Sequence, residues 1–129
     1  MVVDPSALVA IVFNEPDGPA FREAILASDS VFIAAPSVVE FIMVALGRKG
    51  PEGEAVARSI MELGNIQIAS FDAAHAALAQ DGFRRYGKGR HPAKLNLGDC
   101  FSYALAKSLG EPLLFKGEDF RLTDVTPAL

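Results

Sequence analysis

Four acidic residues, Asp4, Glu40, Asp99 and Asp119, each stand where an apolar segment or a turn hands over to a helix. They are too far apart in sequence to form a local motif. A mostly parallel α/β sheet would gather such residues at one edge, since sites in open sheets form outside the carboxyl ends of the strands. Carboxylates crowded together cannot all stay ionised without a counter-charge. A hard divalent cation with a preference for oxygen ligands supplies one. The pattern therefore predicts a Mg²⁺ or Mn²⁺ site and metal-assisted phosphodiester chemistry.

Each acid also has a plain structural reading. Asp4 precedes Pro5 and could cap a helix. Ser37-Val38-Val39-Glu40 has the form of an S-x-x-E capping box. Asp99 lies in a first helical turn, where the helix dipole favours negative charge. Asp119 could cap a last short turn. The neighbourhoods argue for more than capping. Glu40 sits among Val38, Val39, Phe41 and Ile42, and Asp99 is followed by Cys100, Phe101 and Tyr103. Acids in such surroundings are costly unless paired or metal-bound.

The elements that must position these residues can be read from hydrophobic spacing. Met1–Val3, Val31–Ala34, Ile66–Ala69 and Leu113–Phe115 are short apolar strands. Ser6–Phe13, Pro19–Ala27, Val38–Leu46, Glu54–Leu63, Asp72–Tyr86 and Gly98–Leu109 read as helices, with Asp72 as an N-cap. Lys49–Gly53 reads as a loop, Gly87–Asn96 as the longest irregular stretch, and Asp124–Leu129 as a possible final strand. Strands alternating with helices predict a parallel sheet covered on both faces. The expected architecture is a three-layer α/β/α sandwich on a short, mostly parallel sheet of four to five strands, with residues 1–129 as one domain.

The 129-residue chain is half hydrophobic and 22% charged, which excludes disorder. No apolar run approaches the roughly 18 residues of a membrane span. The first segment reads as strand and helix rather than as a signal peptide. A single cysteine, Cys100, allows no internal disulfide and suits a reducing, cytoplasmic setting. Without a CxxC or a His/Cys cluster, structural zinc is excluded. Net charge is −4, so phosphate binding must come from a local patch. Arg84, Arg85, Lys88, Arg90 and Lys94 form such a patch, with Tyr86 and His91 among them.

The chain resembles the PIN-domain ribonucleases, most closely the VapC-type toxins of toxin–antitoxin pairs. The likeness rests on V-V-D-P-S-A-L at the start, A-P-S-V-V-E-F at 35–41, L-N-L-G-D-C-F-S-Y-A-L-A at 95–106 and L-L-F-K-G-E-D-F-R-L-T-D-V at 113–125. These segments occur in the family's order and span nearly the whole length. The resemblance carries an acidic quartet onto Asp4, Glu40, Asp99 and Asp119, as catalytic residues and metal ligands. It places a small polar residue at Ser6 and a polar partner at Asn96. Where the family often has Asn or Asp before its last acid, this chain has Glu118. That departure adds Glu118, and Asp124 beyond it, as further acids near the site.

The function this implies is endonucleolytic hydrolysis of RNA with Mg²⁺, or Mn²⁺ in its place, leaving a 5′-phosphate and a 3′-hydroxyl. Ser6, Asn96, Arg84, Arg85, Lys88 and Arg90 are candidate substrate contacts. The implied partners are a VapB-like antitoxin, a second copy of the chain, and operator DNA reached through the antitoxin in a larger assembly. Ser6–Phe13 and Pro19–Ala27 are the apolar helices expected at the homodimer face. The rival reading is a catalytically inactive PIN-like binding module, in which the four acids are only caps. A phosphotransfer domain fits less well: Ser6 stands where a haloacid-dehalogenase-like enzyme would carry its second Asp.

Overall fold

The computed structural model describes residues 1–129. The chain runs β1 (Val2–Val3), α1 (Pro5–Val12), α2 (Gly18–Ala27), β2 (Val31–Ala34), α3 (Ala35–Leu63), β3 (Ile66–Ala69), α4 (Ala73–Tyr86), α5 (Leu97–Leu109) and β4 (Leu113–Leu114). A 3₁₀ turn, Asp119–Leu122, follows. All strand pairs are parallel, in the order β3-β2-β1-β4. The chain moves outward from β1 through β2 to β3, then returns to place β4 on the other side of β1. The strand order therefore reverses at β1, and the crevice outside its carboxyl end is where a ligand site is expected.

Short strands suffice because the sheet is buried on both faces. Side chains alternate across it. Val3, Val31, Ile33, Ile66 and Leu114 join Leu8, Phe21, Ile25 and Phe41 in one core under α1, α2 and α3. Val2, Ala34 and Leu113 join Leu95, Cys100, Tyr103, Leu105 and Phe120 in a second core under α5. The result is the expected three-layer sandwich.

Three details differ from the sequence reading. The two expected helices are present within α3, and the loop expected over Lys49–Gly53 shrinks to a kink at Lys49 and Gly50, the residues with non-helical backbone. Gly50 has φ 60° and ψ −155°, a conformation open to glycine, and Pro51 restarts the helix. The final strand over 124–129 reduces to a single bridge between Leu113 and Pro127, so the sheet has four strands. The exposed apolar surface is also displaced from α1, whose Ala7, Leu8, Ala10 and Val12 are buried. It lies instead mainly on α3, where Val39, Met43 and Leu46 face outward.

Candidate active site

Asp4 follows β1 directly and is the N-cap of α1. Its Oδ2 accepts the backbone N–H of Ser6 at 2.9 Å. Its Oδ1 accepts the Ser102 hydroxyl at 2.5 Å, a contact 98 residues away in sequence. Asp4 is only 4% exposed and Ser102 1%. Burial pushes the Asp4 carboxyl above its ordinary pKa, against the hydrogen bonds from Ser102 and Ser6. Asp4 is thus both a cap and a buried carboxylate at the switch point of the sheet.

Asp99 reaches the same place from α5. Asn96 is the N-cap, its Oδ1 accepting the Asp99 N–H at 2.9 Å, while Asp99 Oδ2 accepts the Asn96 N–H at 3.0 Å. This reciprocal box fixes the carboxylate in the first turn. Asp99 is half-buried, and its pKa is pushed up to about 6. Burial is the main cause, the Asn96 N–H opposes it, and the charges of Asp4 and Asp119 add to it.

Glu40 comes from the second turn of α3. The capping-box reading of Ser37–Glu40 does not hold: α3 begins at Ala35 with Ala34 as its cap, and the buried Ser37 hydroxyl has no partner. Glu40 is instead raised in pKa by burial and then by repulsion from Asp4 and Asp99. Asp119 opens the 3₁₀ turn after β4, solvent-exposed and near enough to Asp99 to repel it.

The sheet edge therefore gathers all four carboxylates, Glu40 and Asp119 flanking Asp4 and Asp99. None of the four has an ion-pair partner; the arginines and lysines that do form ion pairs, Arg58, Arg85, Lys107, Lys116 and Arg121, pair with other acids. The cluster is open: no three side chains close on one point at coordinating distance. Its chemistry is nevertheless that of a hard-cation site. Every donor is a carboxylate oxygen, two of the groups are anchored by fixed hydrogen bonds, and the accumulated negative charge lacks a protein counter-ion. The neighbouring Cys100 thiol is buried with the second core, and burial pushes its pKa up to about 11.

The other candidate residues have definite places. The Ser6 hydroxyl accepts the Lys116 N–H at 3.0 Å, tying α1 to the turn that carries Asp119. Asn96 caps α5 as described. Arg85 is committed to the hydroxyls of Tyr103 at 3.3 Å and Tyr86 at 3.0 Å, and to Asp124 at 3.4 Å. Arg90 donates to the Arg84 carbonyl at 3.3 Å. Arg84 and Lys88 are exposed and carry no ion pair. Asp124 bonds Tyr103 and Lys107, both at 3.0 Å, and belongs to that network rather than to the acidic cluster. Glu118 is 82% exposed beside Arg121. Sequence reasoning missed Ser102. Its signal was a hydroxyl one helical turn beyond Asp99, in an otherwise apolar run.

Comparison with known proteins identifies the family and the fold. The PIN domain family model matches residues 1–125. Ribonuclease VapC42 of Mycobacterium tuberculosis is 43% identical over 129 residues, covering 99% of this chain and 98% of that protein. Ribonuclease VapC of Mycolicibacterium smegmatis is 46% identical over 125 residues, covering 97% of each. The crystal structure of M. tuberculosis VapC20, described as a sarcin-ricin loop cleaving toxin, superposes with a TM-score of 0.78 at 15% identity. That match covers 97% of this chain and 95% of VapC20, and bears on the fold.

Proposed function

We propose, since this chain belongs to the PIN-domain family and within it to the VapC ribonucleases, that it is the endoribonuclease toxin of a VapBC-like toxin–antitoxin pair. In this reading Asp4, Glu40, Asp99 and Asp119 are its catalytic, metal-holding residues. The observation that carries the reading is the set of four carboxylates at the switch point of the sheet, none with a basic partner.

Each acid has its own task. Asp4 is the fixed ligand, held at both oxygens by Ser102 and Ser6. Asp99 is the second anchor, set by the Asn96 box. Glu40, on a longer side chain from the facing helix, would complete the set of ligands. Asp119 stands outermost, suited to contact through water. Mg²⁺, with Mn²⁺ as a substitute, would lower the pKa of a bound water and neutralise charge on the scissile phosphate. Arg84 and Lys88, free of internal pairs, contact flanking phosphates of the RNA. Arg85 supports them indirectly by holding α4 to α5. The antitoxin inhibits by offering Arg or Lys to the same carboxylates. A second copy of the chain covers the apolar ridge Val39–Met43–Leu46.

Calorimetric titration of Mn²⁺ into the wild type and into Asp99→Asn, with an RNA cleavage assay alongside, tests the reading. Binding and cleavage in the wild type, both lost in the folded variant, are expected. A wild type that neither binds Mn²⁺ nor cuts RNA would leave the four acids without a metal-holding role and the domain as a binding module.

A further inference from the structure

Gly98 occupies the second position of α5, between the N1 residue Leu97 and Asp99. Its backbone does not ask for glycine: Gly98 is absent from the positive-φ residues of the chain, so any residue could adopt its conformation. Glycine also weakens a helix relative to alanine. The reason for it lies in the space around it. A Cβ built at position 98 would stand 3.0 Å from both Cδ and Oε1 of Glu40, and closer still to Oε2. Its three nearest neighbours are thus all atoms of one carboxylate. At most other glycines of this chain that lack room for a side chain, the obstacle is backbone or packed core.

We propose that Gly98 is a positioning residue for Glu40. The missing side chain is the space in which the Glu40 carboxylate lies against the first turn of α5, beside Asp99. Glu40 starts on α3, across the crevice, and must pass over this turn to share a site with Asp99 and Asp4. Repulsion from those two acids opposes its approach. A methyl group at 98 adds a steric barrier to an arrangement that charge already disfavours. The end of a glutamate side chain can swing away without disturbing the core. The fold would therefore tolerate the methyl, while the metal site would lose a ligand from its proper place. This inference rests on the proposed metal-dependent activity.

The test is Gly98→Ala, alone and combined with Glu40→Ala. Calorimetry with Mn²⁺ should show affinity at least about tenfold weaker in Gly98→Ala, the scale on which supporting residues act on metal sites. Its melting temperature should equal or exceed that of the wild type, because alanine is the better helix former. In the Glu40→Ala background the same substitution should leave Mn²⁺ affinity unchanged, since no carboxylate remains to displace. In EDTA it should raise the melting temperature more in that background than in the wild type. Unchanged Mn²⁺ affinity in Gly98→Ala, an equal loss in both backgrounds, or a destabilised variant each overturns the positioning role while leaving the proposed function standing. A wild type that binds no Mn²⁺ sinks the proposed function itself. In that case equal melting shifts in both backgrounds would further show that Gly98 does not govern Glu40 at all.

Discussion

Asp99→Asn should make the metal-free protein more stable at neutral pH while abolishing the metal response. The Asp99 carboxyl is pushed from 3.8 to about 6 on folding, chiefly by burial. A carboxyl whose pKa rises on folding favours the folded state only while protonated. That contribution is complete below pH 3.8 and is lost as the pH climbs through about 6. At pH 7.5 the ionised group therefore works against folding. The shift corresponds to about 3 kcal/mol at most; with allowance for solvent at a half-buried site, about 1–2 kcal/mol is expected. Asparagine keeps an oxygen to accept the Asn96 N–H, so the helix cap survives. For a chain of this size the gain corresponds to about 3–8 °C in melting temperature. Thermal unfolding in EDTA should show Asp99→Asn above the wild type at pH 7.5, with the difference clearly smaller at pH 4.5. Added Mn²⁺ should raise the wild type through ligand binding and leave the variant unmoved. A variant less stable than the wild type in EDTA at pH 7.5, or a difference independent of pH, would refute the claim that Asp99 is held as a charge without a counter-ion.

Two further substitutions separate satisfied from unsatisfied buried hydroxyls. Ser102→Ala removes the donor to Asp4 Oδ1 from a buried site; urea denaturation at pH 7 should show a loss of about 1–3 kcal/mol, and a neutral result would mean that the bond holds nothing in place. Ser37→Ala removes a fully buried hydroxyl that has no partner; stability should rise by up to about 1 kcal/mol, and a loss in the same urea series would reveal a partner for that hydroxyl.

What the sequence disclosed follows from the range over which each interaction acts. Strands and most helix limits are set by neighbours within a few positions, so spacing and punctuation revealed them. The exceptions were local as well. The loop expected over Lys49–Gly53 shrinks to a kink, because the backbone at Lys49 and Gly50 turns the chain and Pro51 starts the second helix at once. Glu40 is legible as a candidate, but its rival reading as a cap survives in the sequence, since Ser37-x-x-Glu40 satisfies the capping pattern whether or not the helix begins there. Only the fold shows that it begins earlier, at Ala35.

The roles of Ser102 and Gly98 depend on contacts across 98 and 58 residues of chain, to Asp4 and Glu40 respectively. No periodicity carries such information. Asp124 shows the same limit from the other side: its position near the last acid suggested a share in the site, yet its carboxylate is taken by Tyr103, Lys107 and Arg85. The difference between an acid that has a basic partner and one that lacks it separates Asp124 from the quartet. Arg85 and Lys107 reach Asp124 because α4 and α5 pack side by side at that end. No cation reaches Asp4, because its surroundings are core residues and two serines. Among the acids without a basic partner, Asp4, Glu40 and Asp99 are the ones that repel one another, with Asp119 beside Asp99; they stand at the mouth of the crevice, where the strand order reverses and a cation would enter.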